Sequence, residues 1–236
     1  MVKLSKTSKL GTFSWSLQAR ETCPGSVDAE GVTVPACAGC YATFGNYAFP
    51  NVKKVRTDNR QQWQSETFVT DMIVALRHER YFRLFDSGDF YHVELVKKWF
   101  EICEVLPDTK FWIPTRSHKV AKLALWIHKL SALPNVTVRY SADSIDGTYD
   151  AGLHGSVIYS DNTQLDLRDV ASGMVFPCPA YTDEHGGKCL TCRKCYDKQT
   201  PVIAYRVHGV KMKSIVKKNA EKNAEKKVIP ILAVKG

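Results

Sequence analysis

Between residues 10 and 160 short apolar runs alternate with stretches whose apolar residues recur every three or four positions, the pattern of parallel strands covered by helices. The first run, Gly11 to Leu17, places Phe13, Trp15 and Leu17 on one face and predicts a strand. Ser65 and Glu66 are suited to open a helix through Phe68, Val69, Met72, Ile73 and Leu76, with its end expected near Arg80. Arg83 to Phe85 then read as a buried strand. The stripe Val93, Val96, Trp99, Phe100 and Cys103 predicts a helix that stops before Pro107, with Cys103 in the core. Further strands are expected at Lys110 to Ile113, Val136 to Tyr140 and Ser156 to Tyr159, and a helix from Ser117 carries Val120, Leu123, Ala124 and Ile127. Beyond these, Pro201 to Val207 reads as a last strand, Lys213 to Lys227 as an amphipathic helix, and Val228 to Val234 as a terminal strand or docking segment.

Each apolar run ends in small, hydroxylated or charged residues: Asp86-Ser87-Gly88-Asp89, Thr115-Arg116, Ser141-Ala142-Asp143 and Ser160-Asp161. In parallel α/β folds the site lies at the carboxyl ends of the strands, so these residues are expected to converge. Asp and Ser also cap helices, and Ser117 is read that way. Asp86, Asp89, Arg116 and Asp143 are read as site residues.

A chain of 236 residues suits one large domain that buries about 70% of its unfolded surface. Residues 1–170 form the α/β body and residues 171–236 a Cys-rich segment with a basic C-terminal helix, the two expected to pack as one domain. With 44% apolar and 24% charged residues, no run long enough for a bilayer and no secretory leader, the protein is expected in the cytoplasm, away from membranes. The net charge of +9 is concentrated at the ends, +3 over residues 1–22 and +7 over residues 205–236, leaving the middle close to neutral. Such ends suit a solvated helix face, the commoner case, or contact with nucleic-acid phosphates.

Seven of the eight cysteines fall into two groups, and in a reducing compartment grouped thiols read as metal ligands. In the second group, ten residues separate Cys178 from Cys189, and Cys189, Cys192 and Cys195 follow at two-residue gaps. Three thiols so closely spaced, with a Cys-Pro elsewhere, resemble the ferredoxin way of holding a [4Fe-4S] cluster, which four thiolates would saturate. A structural zinc site with the same ligands is the alternative. The first group is Cys23, a thirteen-residue gap, then Cys37 and Cys40. Three thiolates would leave one iron open to a substrate or cofactor. Alternatively Cys23 is unligated, or both groups serve one shared cluster.

Two resemblances follow from these residues. The order of strand, cysteine loop, helix, strand with a Gly-acid loop, helix and strand is similar to the first half of the radical SAM partial barrel. That resemblance implies a partial (β/α) barrel with a Cys-rich C-terminal extension and a [4Fe-4S] cluster on Cys23, Cys37 and Cys40. It also implies contacts to S-adenosylmethionine from Asp86, Ser87, Gly88, Asp89, Arg116, Ser141 and Asp143. The family's usual cysteine gaps are three and two residues, whereas here the first is thirteen, and Ser87-Gly88 stands where two glycines are usual. Looping out an insertion costs little closure entropy. A narrower resemblance covers residues 5 to 208. Ser5-Lys-Thr-Ser-Lys9, Thr22-Cys-Pro-Gly25, Cys37-Ala-Gly-Cys-Tyr-Ala42, Asp86-Ser-Gly-Asp-Phe90, Phe111-Trp-Ile-Pro-Thr-Arg116, Arg139-Tyr-Ser-Ala142, Cys178-Pro-Ala-Tyr181 and Cys192-Arg-Lys-Cys195 are similar to the bacteriophage gene product 88 family. It implies a phage protein made in the bacterial cytosol.

Three functions compete. The first is a redox enzyme in which the first cluster, with its open iron, reduces S-adenosylmethionine and the second is auxiliary, acting on a substrate the sequence does not name. The second is a non-enzymatic protein whose iron-sulfur cluster or zinc stiffens a surface for a host factor or nucleic acid. The third, suggested by the two-residue gaps Cys37 to Cys40 and Cys189 to Cys192, is a thiol-disulfide catalyst.

Overall fold

The computed structural model describes residues 2–160 and 165–227; Asp161 and the expected terminal segment Val228 to Val234 lie outside them. A short hairpin, β1 (Ser5–Lys6) and β2 (Phe13–Trp15), leads into the first cysteine loop with its single turn α1 (Pro35–Ala38). Helices α2 (Pro50–Gln62) and α3 (Phe68–Leu76) precede β3 (Tyr81–Leu84), and α4 (Val93–Val105) precedes β4 (Lys110–Thr115). Then come α5 (Ala121–Ala132), β5 (Val136–Ser141), β6 (Gly155–Tyr159), α6 (Leu167–Ala171), β7 (Val175–Pro177), β8 (Val202–Arg206) and α7 (Val210–Lys227).

The strands form one open mixed sheet in the order β1-β2-β3-β4-β5-β6-β8-β7, parallel except for β1. From β2 to β6 each new strand adds beside the last, through helical crossovers as far as β5 and through a loop without a helix from β5 to β6. Strand β8 breaks the sequence by inserting between β6 and β7, so strands from both halves of the chain share one sheet.

Side chains alternate across the sheet, and the two faces differ in chemistry. One face carries Trp15, Phe82, Leu84, Phe111, Ile113, Val136 and Val138 into a core with α3, α4 and α5. Its centre is aromatic: Trp99 stacks on Phe82 at 5.7 Å and meets Trp15 at the same distance. Cys103 is buried there, as its place on the stripe predicts. The other face presents Arg83, Trp112, Thr137 and Arg139, and the Cys-rich segment lies across it. Tyr196 packs between Tyr81 and Trp112 at 5.0 and 5.9 Å, and the Thr137 hydroxyl donates to its carbonyl.

Several sequence expectations need correction. The helix expected from Ser65 to near Arg80 runs only from Phe68 to Leu76, because the chain turns at Arg77 to enter β3. Helix α2 was not expected: its residues are largely polar, and Arg56 and Asn59 are its buried ones. Ser117 does not cap with its hydroxyl, which has no hydrogen-bond partner among the described residues. Its backbone N–H instead donates to Asp89, so the capping carboxylate comes from another strand end.

Candidate metal centres

The first cysteine group sits against the carboxyl ends of β3, β4 and β5. Gly25, two residues after Cys23, lies on Arg116: a Cβ there would be 2.3 Å from the Arg116 carbonyl oxygen. The Ala36 N–H donates to the Asp143 carbonyl, and Arg20 Nη2 donates to the Cys37 carbonyl at 2.9 Å. Gly39 meets the start of α7, where an added Cβ would be 2.9 Å from Met212 Cα. Cys23, Cys37 and Cys40 thus lie within electrostatic reach of one another. Burial, with Asp89's charge next, pushes the Cys23 thiol up to about 12. Burial also raises Cys37, against the pull of Arg116 and Arg20.

The strand ends at Asp86, Asp89, Arg116 and Asp143 lie against this group, whereas the expected fifth, at Ser160, is not placed there and Asp161 falls outside the described residues. Their side chains also bind one another. Asp86 accepts from Arg83 Nη1 at 2.7 Å and from the Tyr47 hydroxyl, while the Tyr41 hydroxyl donates to its carbonyl. Ser87 Oγ accepts from Arg56 Nε and donates to the Leu17 carbonyl. Gly88 has φ +77° and is wedged against Leu17 and Thr22, where a side chain would collide. Asp89 is buried and accepts from Thr115 Oγ1 at 2.6 Å and from the N–H groups of Phe90, Arg116 and Ser117. Arg116 reaches the Ala142 carbonyl at 2.7 Å and faces Asp143 at 3.5 Å, and Asp143 also pairs with Lys119. Ser141 accepts from Ser156.

The second group borders a single cavity. Cys178, Cys189, Cys192 and Cys195 all line it, with Leu10, Phe176, Tyr196 and Ile203, around a small space of about 20 Å³. Strand pairing assembles it: the Cys178 N–H donates to the Ala204 carbonyl on β8, and the Cys189 N–H donates to the Lys9 carbonyl before β2. Cations surround it. Lys9 acts on Cys178 and Cys189, Arg83 on Cys189 and Arg139 on Cys195. Burial raises all three of these thiols, Cys195 to about 12. Among the described residues no three of His, Cys, Asp and Glu are close enough to grip one bare metal ion.

A series of rings spans the gap between the groups. Tyr181, three residues after Cys178, stacks on His208 at 4.7 Å, and His208 meets Tyr41, next to Cys40, at 6.0 Å. Sequence reading gave His208, Tyr205 and Arg139 no role. Arg139 was legible in principle, as a charged residue at an alternating position of a strand otherwise rich in β-branched residues.

All eight cysteines are free thiols. Burial raises Cys37 and Cys189, the opposite of the depressed pKa that favours an attacking thiol in disulfide exchange.

The fold and its cysteine groups define an α/β protein with two thiol-rich centres, one at the strand ends and one across the sheet face opposite α3, α4 and α5. The model of the family Gene product 88 matches residues 2–198, and the chain belongs to this bacteriophage family. No curated protein and no solved structure matches it. No described helix is long and apolar enough to cross a membrane.

Proposed function

We propose that this is an iron-sulfur redox protein with two centres, a closed one on Cys178, Cys189, Cys192 and Cys195 and one with an open iron on Cys23, Cys37 and Cys40. The observation that carries the reading is that Cys178 and the closely spaced Cys189, Cys192 and Cys195 border one cavity while a fully buried arginine beside them has only backbone carbonyls as hydrogen-bond partners. A buried guanidinium calls for an anion, and a thiolate-held cluster is one. The donor set fits: sulfur ligands, cationic surroundings and a partly apolar wall favour a soft anionic group. A zinc ion would draw its four thiolates to about 2.3 Å each, and among the described residues no three such side chains are grouped to hold one ion.

The finer reading is a radical SAM-like partial barrel. Supporting it are the stepwise parallel strand order from β2 to β6 and the three-cysteine loop docked at the strand carboxyl ends. When bound, the first cluster would supply one electron for reductive cleavage of S-adenosylmethionine. The chain's own part is to hold that loop in place through Arg20, Gly25 and the Asp143 carbonyl. Arg116 and Arg20 offset the negative charge of the thiolates. The ring series through His208 joins the centres and suits the second one to an auxiliary, electron-relaying role.

A second reading, a metal-stiffened binding protein, is favoured by one observation. The Asp86 and Asp89 carboxylates are already engaged by protein donors and so serve the fold as they stand.

Anaerobic purification with iron and sulfide analysis tests the first reading. Iron and sulfide are expected in the unaltered chain and in C103A, and are reduced in C195S and C37S. Reduced protein given S-adenosylmethionine is expected to release 5′-deoxyadenosine. Iron without that product supports the binding-protein reading, and zinc without iron overturns the redox one.

A further inference from the structure

Arg139 and Tyr205 converge on one cysteine. Arg139, fully buried on β5, donates from Nε to the Cys195 carbonyl and from Nη2 to the Lys194 and Asp197 carbonyls. Its Nη1 donates to the Thr200 and Pro201 carbonyls. All five acceptors are backbone oxygens, and among the described residues its guanidinium makes no ion pair. The carboxylate whose charge does reach it, that of Asp197, is held by Lys194 Nζ at 3.0 Å and by Thr200. A positive charge is therefore built into the interior, beside Cys195. From β8, two strands along the sheet, the half-buried Tyr205 places its hydroxyl 3.2 Å from Cys195 Sγ, where it can donate to a thiolate.

We propose that Arg139 and Tyr205 raise the reduction potential of the four-cysteine centre through Cys195, poising that centre to exchange electrons as well as to brace the fold. This rests on the iron-sulfur reading above. Adding an electron makes such a centre more negative. A hydrogen bond donated to a ligand sulfur and a nearby fixed positive charge both stabilise the reduced form more than the oxidised one, and so shift the potential upward. The step is one electron passed from an external one-electron reductant of the dithionite class, with no bond made or broken. Both residues are positioning residues, since neither touches a substrate.

The test is anaerobic potentiometry, followed by electron paramagnetic resonance, on the full-length protein and its Y205F, R139Q and R139K variants. Y205F removes only the hydroxyl and is expected to keep the iron content and thermal midpoint of the parent. One couple should move to more negative potential, its reduced-to-oxidised ratio at fixed potential falling about tenfold, or about 59 mV for a one-electron couple, while any other stays in place. R139Q should move the same couple the same way, and R139K should recover part of the shift by restoring charge without the fork. If R139Q does not fold, Y205F decides alone. Iron-loaded Y205F with every couple unmoved overturns this inference and leaves the iron-sulfur reading standing. Parent protein without iron and sulfide overturns both.

Discussion

Gly25 lies directly on the carbonyl of Arg116, with room for a hydrogen and none for a methyl group: a Cβ would stand 2.3 Å from that oxygen. The turn that carries Cys23 is thus seated on the end of β4. G25A must move either the turn or the strand end, and overpacking of this kind costs about 1–3 kcal/mol. Denaturant titration should show that loss. The metal-free variant should also alkylate faster at Cys23 than the parent does.

Asp89 gathers four donors onto one buried carboxylate and so ties the end of β3 to the start of the turn after β4. D89A would leave the Thr115 hydroxyl and three backbone N–H groups without their acceptor in a place water hardly reaches. The expected loss is about 3 kcal/mol, since each buried orphan costs on the order of 1–3 kcal/mol and relaxation recovers part. S141A, which gives up a single 3.3 Å contact with Ser156, should lose under about 1 kcal/mol in the same measurement. Equal losses in the two variants would contradict the role assigned to Asp89.

His118 meets the Tyr140 ring at 4.8 Å, and burial lowers its pKa, with Lys119 and Arg116 acting in the same direction. The unfolded chain therefore takes up this proton at a higher pH than the folded protein does. Protonation favours unfolding as pH drops below about 6.5, and stability is restored above it. Thermal midpoints measured between pH 7.5 and 5.5, pH values set roughly around that reference, should fall toward acid. H118F should flatten that slope.

The apolar stripes of α3, α4 and α5 were legible because burial on one side of a helix leaves a periodic mark, and the strands between them were found for the same reason. Helix α2 left no such mark. It is held by polar contacts, Asn59 Nδ2 to the Ser16 carbonyl and Arg56 to Ser87, which have no period in sequence. Strand β7 escaped notice because three residues, Val175–Pro177, are too few for alternation to show.

At the candidate centres the cysteines announced themselves by spacing, and the strand-end residues by following apolar runs. What surrounds them did not. Lys9, Arg139 and Tyr205 come from three distant parts of the chain, and only the sheet register brings them to the thiols. Gly88 had been read as a possible cofactor contact, yet its positive φ and its contact with Leu17 and Thr22 give it a reason in backbone geometry alone.

Because β8 slots between β6 and β7, the sheet cannot be finished in the order in which the chain emerges from the ribosome. Until residues 202–206 appear, β7 has no neighbour to bond with and Cys178 lacks the Ala204 carbonyl that holds its backbone. A nascent chain stalled before that point would carry Cys178 on a strand without its partner, open to oxidation or stray metals. Assembly of the second centre is thereby deferred to the last stage of synthesis, after the helix-covered half has had time to form.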